Sequence, residues 1–360
     1  MKTARNPIRV DRAHGGNAPE GCIDFSASVN PFGPPPEAIH AFREAVTRIT
    51  KYPPPYPRKL EARIAAWLDV DPETVIAGNG TTQLIYAAAR LLRLQLPFVV
   101  IPSFSEIANA LVACGSKPLP IPTSADADFR FEQRGLYDAL DSGADGVFLG
   151  RPNSPTGMMV GLDEAAVLAR ECARRGAWLV VDEAFIEFAD DARSLASLVT
   201  TIGKLVVLRS LTKIFAIPGL RLGYLLVAPD VVRKLREHIE PWSVNAVAEY
   251  VGMACLKIAD GFIARTREEV GRERRWLGDE LGRMRELRVF PSNANFLMIG
   301  VRGERCCGEF GRYLLDRGVA IRDLSGLPGC GPGFYRIGLR SRPDNARLVL
   351  SASKYFGVRV

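Results

Sequence analysis

At 360 residues, 47% hydrophobic and 24% charged, the chain is long enough for about two domains with a sizeable core. Its net charge of +7 comes from basic residues interleaved with acids, without a basic arm, so nucleic acid is not the expected partner and an anionic small molecule explains the surplus at least as well. No apolar run approaches the ~20 residues of a membrane span, and Met1 to Arg12 lacks the apolar core of a signal peptide, so a cytoplasmic enzyme with no membrane partner is expected.

Pro34-Pro-Pro36 and Pro53-Pro-Pro55 bracket a helix-like run, Glu37 to Thr50. From about residue 60 to 255, helical and strand patterns alternate. Val75-Ile-Ala77 leads into Gly78-Asn-Gly-Thr-Thr82, which opens a helix over 82–93. Free backbone N–H groups and hydroxyls at a helix start make an anion site, although Gly-Asn-Gly is commonly only a turn. Strands are expected at 97–101 and 146–150, and Asp163 is expected to cap a helix ending near Arg175 at Gly176. Further strands follow at 177–181 and 205–208. This alternation implies a mainly parallel sheet with helices on both faces, whose ligands sit beyond the carboxyl ends of the strands.

The chemically loaded residues lie there. Asp182 ends the apolar run from Trp178, and a carboxylate buried at a strand end costs several kcal/mol unless a charge or hydrogen bond meets it. Ser210-Leu-Thr-Lys213 follows Leu205-Val-Val-Leu208, and Arg221 comes eight residues after the lysine. Such a lysine can form an imine while the hydroxyl and the arginine hold a phosphate, which is what pyridoxal phosphate requires. Pro152-Asn-Ser-Pro-Thr-Gly157 follows the strand at 146–150, and Phe104 lies in Pro102-Ser-Phe-Ser-Glu106.

The last hundred residues change character. A charged helix over 264–286, strands over 294–301 and 335–340 and a closing helix over 343–355 read as a smaller α+β domain. The expected division is an N-terminal segment 1–45 joining the small domain, a large domain 46–255 and the small domain 256–360. Arg336 and Arg340 share a face of the late strand if it is regular, and a guanidinium fork fits carboxylate or phosphate. Seven irregularly spaced cysteines without Cys-x-x-Cys, and three unpaired histidines (His14, His40, His238), argue against disulfides and a metal site. The cysteines are expected to pack as small apolar residues; the sequence assigns the Cys306-Cys307 pair no role.

The stretch from Ser210 to Tyr224 resembles the lysine motif of the fold-type I pyridoxal-phosphate enzymes, the aspartate aminotransferase superfamily, and Asp182 precedes it at that superfamily's spacing. The resemblance implies an α/β fold with a mainly parallel seven-stranded sheet flanked by helices, plus a small α+β domain. It implies that Lys213 carries pyridoxal 5'-phosphate and that Asp182 counters its ring nitrogen. Gly80, Thr81, Thr82, Ser210, Thr212 and Arg221 would surround the cofactor phosphate, Phe104 would stack on the ring, and Tyr52 would reach the phosphate of a neighbouring subunit. Arg336 resembles the arginine that grips the substrate carboxylate, with Arg340 near the same pocket. Two positions depart from the pattern. Ser154 stands where asparagine is usual, with Asn153 just before it, so either could meet the ring oxygen; Phe185 replaces a common tyrosine.

His14-Gly-Gly-Asn17, the segment Asp24 to Gly33, Tyr52-Pro53, Pro241-Trp-Ser-Val-Asn245 and Asn293-Ala-Asn-Phe-Leu297 resemble the L-threonine-O-3-phosphate decarboxylases of cobalamin biosynthesis. Histidinol-phosphate aminotransferases share Asn-Pro-x-Gly, Tyr-Pro and the lysine motif. The resemblance implies a small phosphorylated amino-acid substrate, approached by His14, Gly16, Asn17 and Asn30, which loses CO2 in a homodimer with shared active sites. The alternative is transamination of histidinol phosphate or a similar phosphorylated amine.

Overall fold

The computed structural model describes residues 6–8, 13–303 and 308–358; the Cys306-Cys307 pair lies outside them. Strand β1 (Ile23–Asp24) and helix α1 (Pro36–Ala45) come first, then α2 (Arg58–Leu68). The alternating region follows: β2 (Val75–Asn79), α3 (Gly80–Leu92), β3 (Pro97–Ile101), α4 (Ser105–Ala113), β4 (Leu119–Pro122), α5 (Gln133–Asp141), β5 (Gly146–Gly150), α6 (Leu162–Arg174) and β6 (Trp178–Asp182). It continues through β7 (Leu205–Ser210), the single turn α7 (Leu211–Ile214), β8 (Leu222–Leu226), α8 (Pro229–Arg236) and α9 (Ala246–Lys257).

These strands form one seven-stranded sheet in the order β2-β8-β7-β6-β5-β3-β4. Only β8 runs against its neighbours, pairing antiparallel with β2 and β7. The parallel centre is apolar up to the carboxyl ends of its strands because both of its faces are covered. Leu149, Val181 and Val207 enter the core on one face, while Phe148, Val180 and Val206 enter the core on the other.

The C-terminal part contains α10 (Ala259–Gly282), β9 (Leu287–Val289), β10 (Phe296–Val301), α11 (Glu309–Leu315), β11 (Val319–Ala320), β12 (Arg322–Asp323), β13 (Phe334–Gly338) and α12 (Arg342–Phe356). Its antiparallel sheet has the order β12-β13-β10-β9, and β1 pairs in parallel with β11. A satellite core of Phe129, Phe290, Met298, Leu324 and Leu327 joins the loop after β4 to this sheet.

Several expected boundaries shift. The helix expected at 82 begins at Gly80, and α6 begins at Leu162 with Gly161 as its cap. Asp163 therefore sits in the first turn, where it meets the helix dipole rather than capping it. The long charged helix runs over 259–282, since Gly282 ends it before Glu286. Strand β13 stops at Gly338, whose amide donates to the Phe25 carbonyl at 2.7 Å, so Arg340 lies past the strand and does not share Arg336's face. Cys172 and Cys255 are buried in the core. Among the described residues no helix is long and apolar enough to cross a membrane, and no cluster of three metal-ligating side chains occurs.

Candidate active site

The carboxyl ends of β2, β3, β5, β6 and β7 share one edge of the sheet, and a cavity of about 890 Å³ opens there. Thr81, Thr82, Phe104, Ser154, Asp182, Phe185, Thr212, Lys213, Arg221, Arg336, His14 and Gly16 all line it. The fold thus gathers twelve of the expected residues from segments up to 322 positions apart.

Lys213 projects from α7, directly after the buried strand β7. Burial, reinforced by the positive charges of Arg336 and Arg221, holds its amine down to about 8, and the Asp182 carboxylate works in the opposite direction. Asp182 ends β6, and its Oδ1 accepts from the Ala184 amide at 3.0 Å. Burial pushes that carboxyl up to about 6 despite the amide and Lys213. A cationic ring N–H in the cavity would supply the partner this carboxylate is short of.

The N-terminus of α3 is open, because Asn79 makes no side-chain cap, so the early N–H groups face the cavity with the Thr81 and Thr82 hydroxyls. Gly80 has φ +75°, and a Cβ there would stand 2.6 Å from Arg221 Nη2. The glycine lets that guanidinium lie against the helix start. Ser210 is buried, with its hydroxyl 2.7 Å from Thr212 Oγ1. Donors and positive charge at one end, a half-buried lysine in the middle and a half-buried carboxylate fit pyridoxal phosphate. Lys213 would bind it covalently, Asp182 would face its ring nitrogen, and Phe104 and Phe185 border the space for the ring.

At the opposite end Arg336 donates from Nη1 to Ser154 Oγ at 3.0 Å and from Nη2 to the Ser26 carbonyl at 2.8 Å. Its Nε is buried without a partner. Burial and the neighbouring Arg322 bring Arg336 down to about 10. Between the two candidates for the ring oxygen, Ser154 faces the cavity. Asn153 is turned inward, its amide donating to the Pro102 carbonyl at 2.8 Å and to Thr156 Oγ1 at 2.9 Å.

Besides Gly80, Asn153 and Ser210, four expected residues are not in the lining. Asn30 is buried behind the lysine turn: its Nδ2 donates to the Ile214 carbonyl at 2.8 Å and its amide to the Lys213 carbonyl at 3.0 Å. Arg340 donates to the carbonyls of Asp24 and Ala27 and so pins the N-terminal segment instead of reaching the pocket. Asn17 is exposed. Tyr52 is 86% exposed and packs on Trp242 at 5.5 Å between ring centroids, away from this chain's own cavity.

Sequence reasoning missed Arg322, Glu106, Tyr86 and Asp24, which line the same cavity. Only Glu106 carried a signal: an acid two residues after Phe104, in the first turn of α4.

A family model described as aminotransferase class I and II matches residues 20–351. The chain is 32% identical to a threonine-phosphate decarboxylase of Salmonella typhimurium, over 94% of this chain and 94% of that protein. It is 29% identical to histidinol-phosphate aminotransferase 2 of Archaeoglobus fulgidus, over 91% of each. The histidinol-phosphate aminotransferase structure from Clostridium acetobutylicum superposes with a TM-score of 0.84 at 24% identity, covering 92% of this chain and 98% of that one. The chain belongs to the aminotransferase class I and II family, and it is a pyridoxal-phosphate-dependent enzyme of that family.

Proposed function

We propose that the enzyme decarboxylates L-threonine O-3-phosphate to (R)-1-aminopropan-2-yl phosphate, a step of cobalamin biosynthesis. The observation that carries this reading is the pairing of Arg322 and Arg336, which are register partners across β12 and β13 and line one cavity. Like charges directly opposite on antiparallel strands destabilise a sheet unless something intervenes. A substrate bearing both a carboxylate and a phosphate supplies two anions, with Arg221 left for the cofactor. The identity to the Salmonella typhimurium decarboxylase supports the same substrate class.

Bound pyridoxal phosphate supplies an electron sink for the pair released when a bond to Cα breaks. The protein's part is to choose the bond and to handle the proton. Arg336, its fork oriented by Ser154 and the Ser26 carbonyl, grips the carboxylate and sets its direction. Loss of CO2 leaves the electron pair of the broken C–C bond at Cα, and one proton must return there. Lys213, with an amine near 8, can give that proton around neutral pH. Asp182 favours a protonated ring nitrogen, and the aromatic walls of Phe104 and Phe185 limit water.

The test is carboxyl-labelled threonine phosphate with purified holoenzyme. Release of one labelled CO2 per substrate consumed supports the reading. Amine transfer without CO2, sustained by 2-oxoglutarate, would overturn it in favour of the aminotransferase.

The reading extends to a homodimer with shared sites. Ile39, Phe42, Val46, Ile49, Tyr52 and Trp242 are all exposed around α1 and the turn after it. An apolar patch of this kind suits a second copy of the chain, whose cofactor phosphate Tyr52 would reach. The division at 45/46 and 255/256 is proposed with one refinement: in the N-terminal segment β1 joins β11, while α1 packs along α9. A cytoplasmic location is part of the same proposal.

A further inference from the structure

We propose that Glu106 is a positioning residue that latches an N-terminal strap, residues 13–16, across the mouth of the catalytic cavity. The inference rests on the phosphorylated-substrate reading above and assigns it a specificity element. Glu106 is in the first turn of α4, two residues past Phe104, and its side chain is 13% exposed. Its Oε1 lies 3.0 Å from His14 Nε2 and accepts from Asn109 Nδ2 at 2.8 Å. Its Oε2 accepts from the Tyr86 hydroxyl at 3.0 Å. One carboxylate thus ties the strap to α4 through Asn109 and to α3 through Tyr86. Those distances lie within the range of well-formed hydrogen bonds.

The strap itself has no secondary structure. Its remaining ties run to the other side of the cavity. The Gly16 amide donates to Ser26 Oγ at 2.8 Å, and Arg322 Nη2 donates to the Ala13 carbonyl. Gly15 packs so closely on Ser26 that a Cβ would stand 2.2 Å from its carbonyl oxygen. The strap therefore bridges the cavity, with Ser26 and Arg322 on the small-sheet side and Glu106 on the helix side. His14, Gly16, Glu106, Tyr86 and Arg322 share that lining with Lys213. The His14 ring sits 6.0 Å from Phe104, at a tilt of 44°.

A bare carboxylate in a cavity built for anions would repel its own substrate. Glu106 escapes this because all three of its partners can donate to it, and the histidine it holds lines the same cavity as Lys213. It acts through His14, not on the substrate. Losing the latch releases the strap on its α4 side while the ties to Ser26 and Arg322 remain, and the Glu106 hydrogen bonds run to His14, Tyr86 and Asn109 rather than to Lys213, Asp182 or Arg336.

The test compares Glu106→Ala and Glu106→Gln holoenzymes by amide hydrogen exchange and steady-state kinetics. A hydrogen bond to a charged group is worth about 1.5–3 kcal/mol, so Glu106→Ala should speed exchange over residues 13–17 about tenfold or more. Exchange over 178–182 stays as in the wild type, which separates unlatching from misfolding. Glu106→Gln, whose amide oxygen can still accept from His14, should show at most about a third of that acceleration. In Glu106→Ala, KM for the phosphorylated substrate rises more than kcat falls, and adding His14→Ala changes KM less than about twofold further. Unchanged exchange in Glu106→Ala, or equal opening in both variants, overturns the latch. Faster exchange with unchanged KM overturns the strap's part in substrate binding. Exchange needs no turnover, so its outcome stands apart from whether CO2 is released.

Discussion

Arg336 meets the cavity as a planar fork whose direction is fixed by Ser154 and the Ser26 carbonyl. Arg336→Lys keeps the charge and loses the fork, so kcat/KM should fall by about a hundredfold, roughly 3 kcal/mol, measured in steady-state assays. Asp182 makes a pH prediction. Its folded-state carboxyl is raised from 3.8 to about 6, so the folded chain binds that proton more tightly than the unfolded chain. Stability from this group is present at low pH and is lost as pH rises from 3.8 through 6. In urea unfolding without cofactor, wild type should lose about 2 kcal/mol relative to Asp182→Asn between pH 4.5 and 7. An identical pH response in both proteins would contradict the raised proton affinity of this carboxyl. At this scale the placement of Lys213, Asp182, Phe104 and Arg221 around one cavity was legible, because each follows an apolar strand or belongs to a spaced motif. Arg322 and Asp24 were not, since a charged residue in a short mixed-polarity strand carries no periodic signal. Arg340 misled for a related reason: the backbone turns at Gly338, and nothing in the sequence marks that a neighbouring carbonyl ends the strand there.

The elements position the site through their ends. The start of α3 needs a residue without a side chain, since a Cβ at Gly80 would both meet Arg221 and demand a positive φ. Gly80→Ala should therefore weaken cofactor binding about tenfold in an equilibrium titration, while Gly282→Ala, which has open space around it, should not. Behind the cavity a buried ion network ties the ends of β5, β6 and β7. Arg151 Nη1 donates to Glu183 Oε1 at 2.8 Å and Arg209 Nη2 donates to Glu187 Oε1 at 2.7 Å. Glu183→Ala would leave the buried Arg151 without its carboxylate partner and should cost about 3–5 kcal/mol in chemical denaturation. Glu183 is invisible in sequence as a network residue because it reads as the second acid of an Asp-Glu pair. Strand positions were the most legible elements, with 97–101 and 146–150 found as expected. Helix starts were less so, because caps such as Gly161 lack the side-chain chemistry that marks an N-terminus.

For the whole molecule, alternation of helix and strand disclosed a mainly parallel sheet, but not that β8 is reversed, since Leu-Gly-Tyr-Leu-Leu is as apolar as its parallel neighbours. The short strands β1, β9, β11 and β12 also escaped, being too brief to show a period. The proposed dimer would be built on the exposed patch around α1. Ile49, 69% exposed, should become a charge at a subunit boundary in Ile49→Glu. Sedimentation should then shift towards monomer with activity falling in parallel, and an unaltered dimer would contradict this surface. The claim on which everything else depends is that Lys213 carries the coenzyme in this cavity. The most direct measurement is borohydride reduction of the holoenzyme followed by peptide mass mapping. The prediction is one reduced pyridoxyl-phosphate group on the peptide containing Lys213, absent in Lys213→Ala. The same group on a different lysine, or none on any peptide, would contradict it.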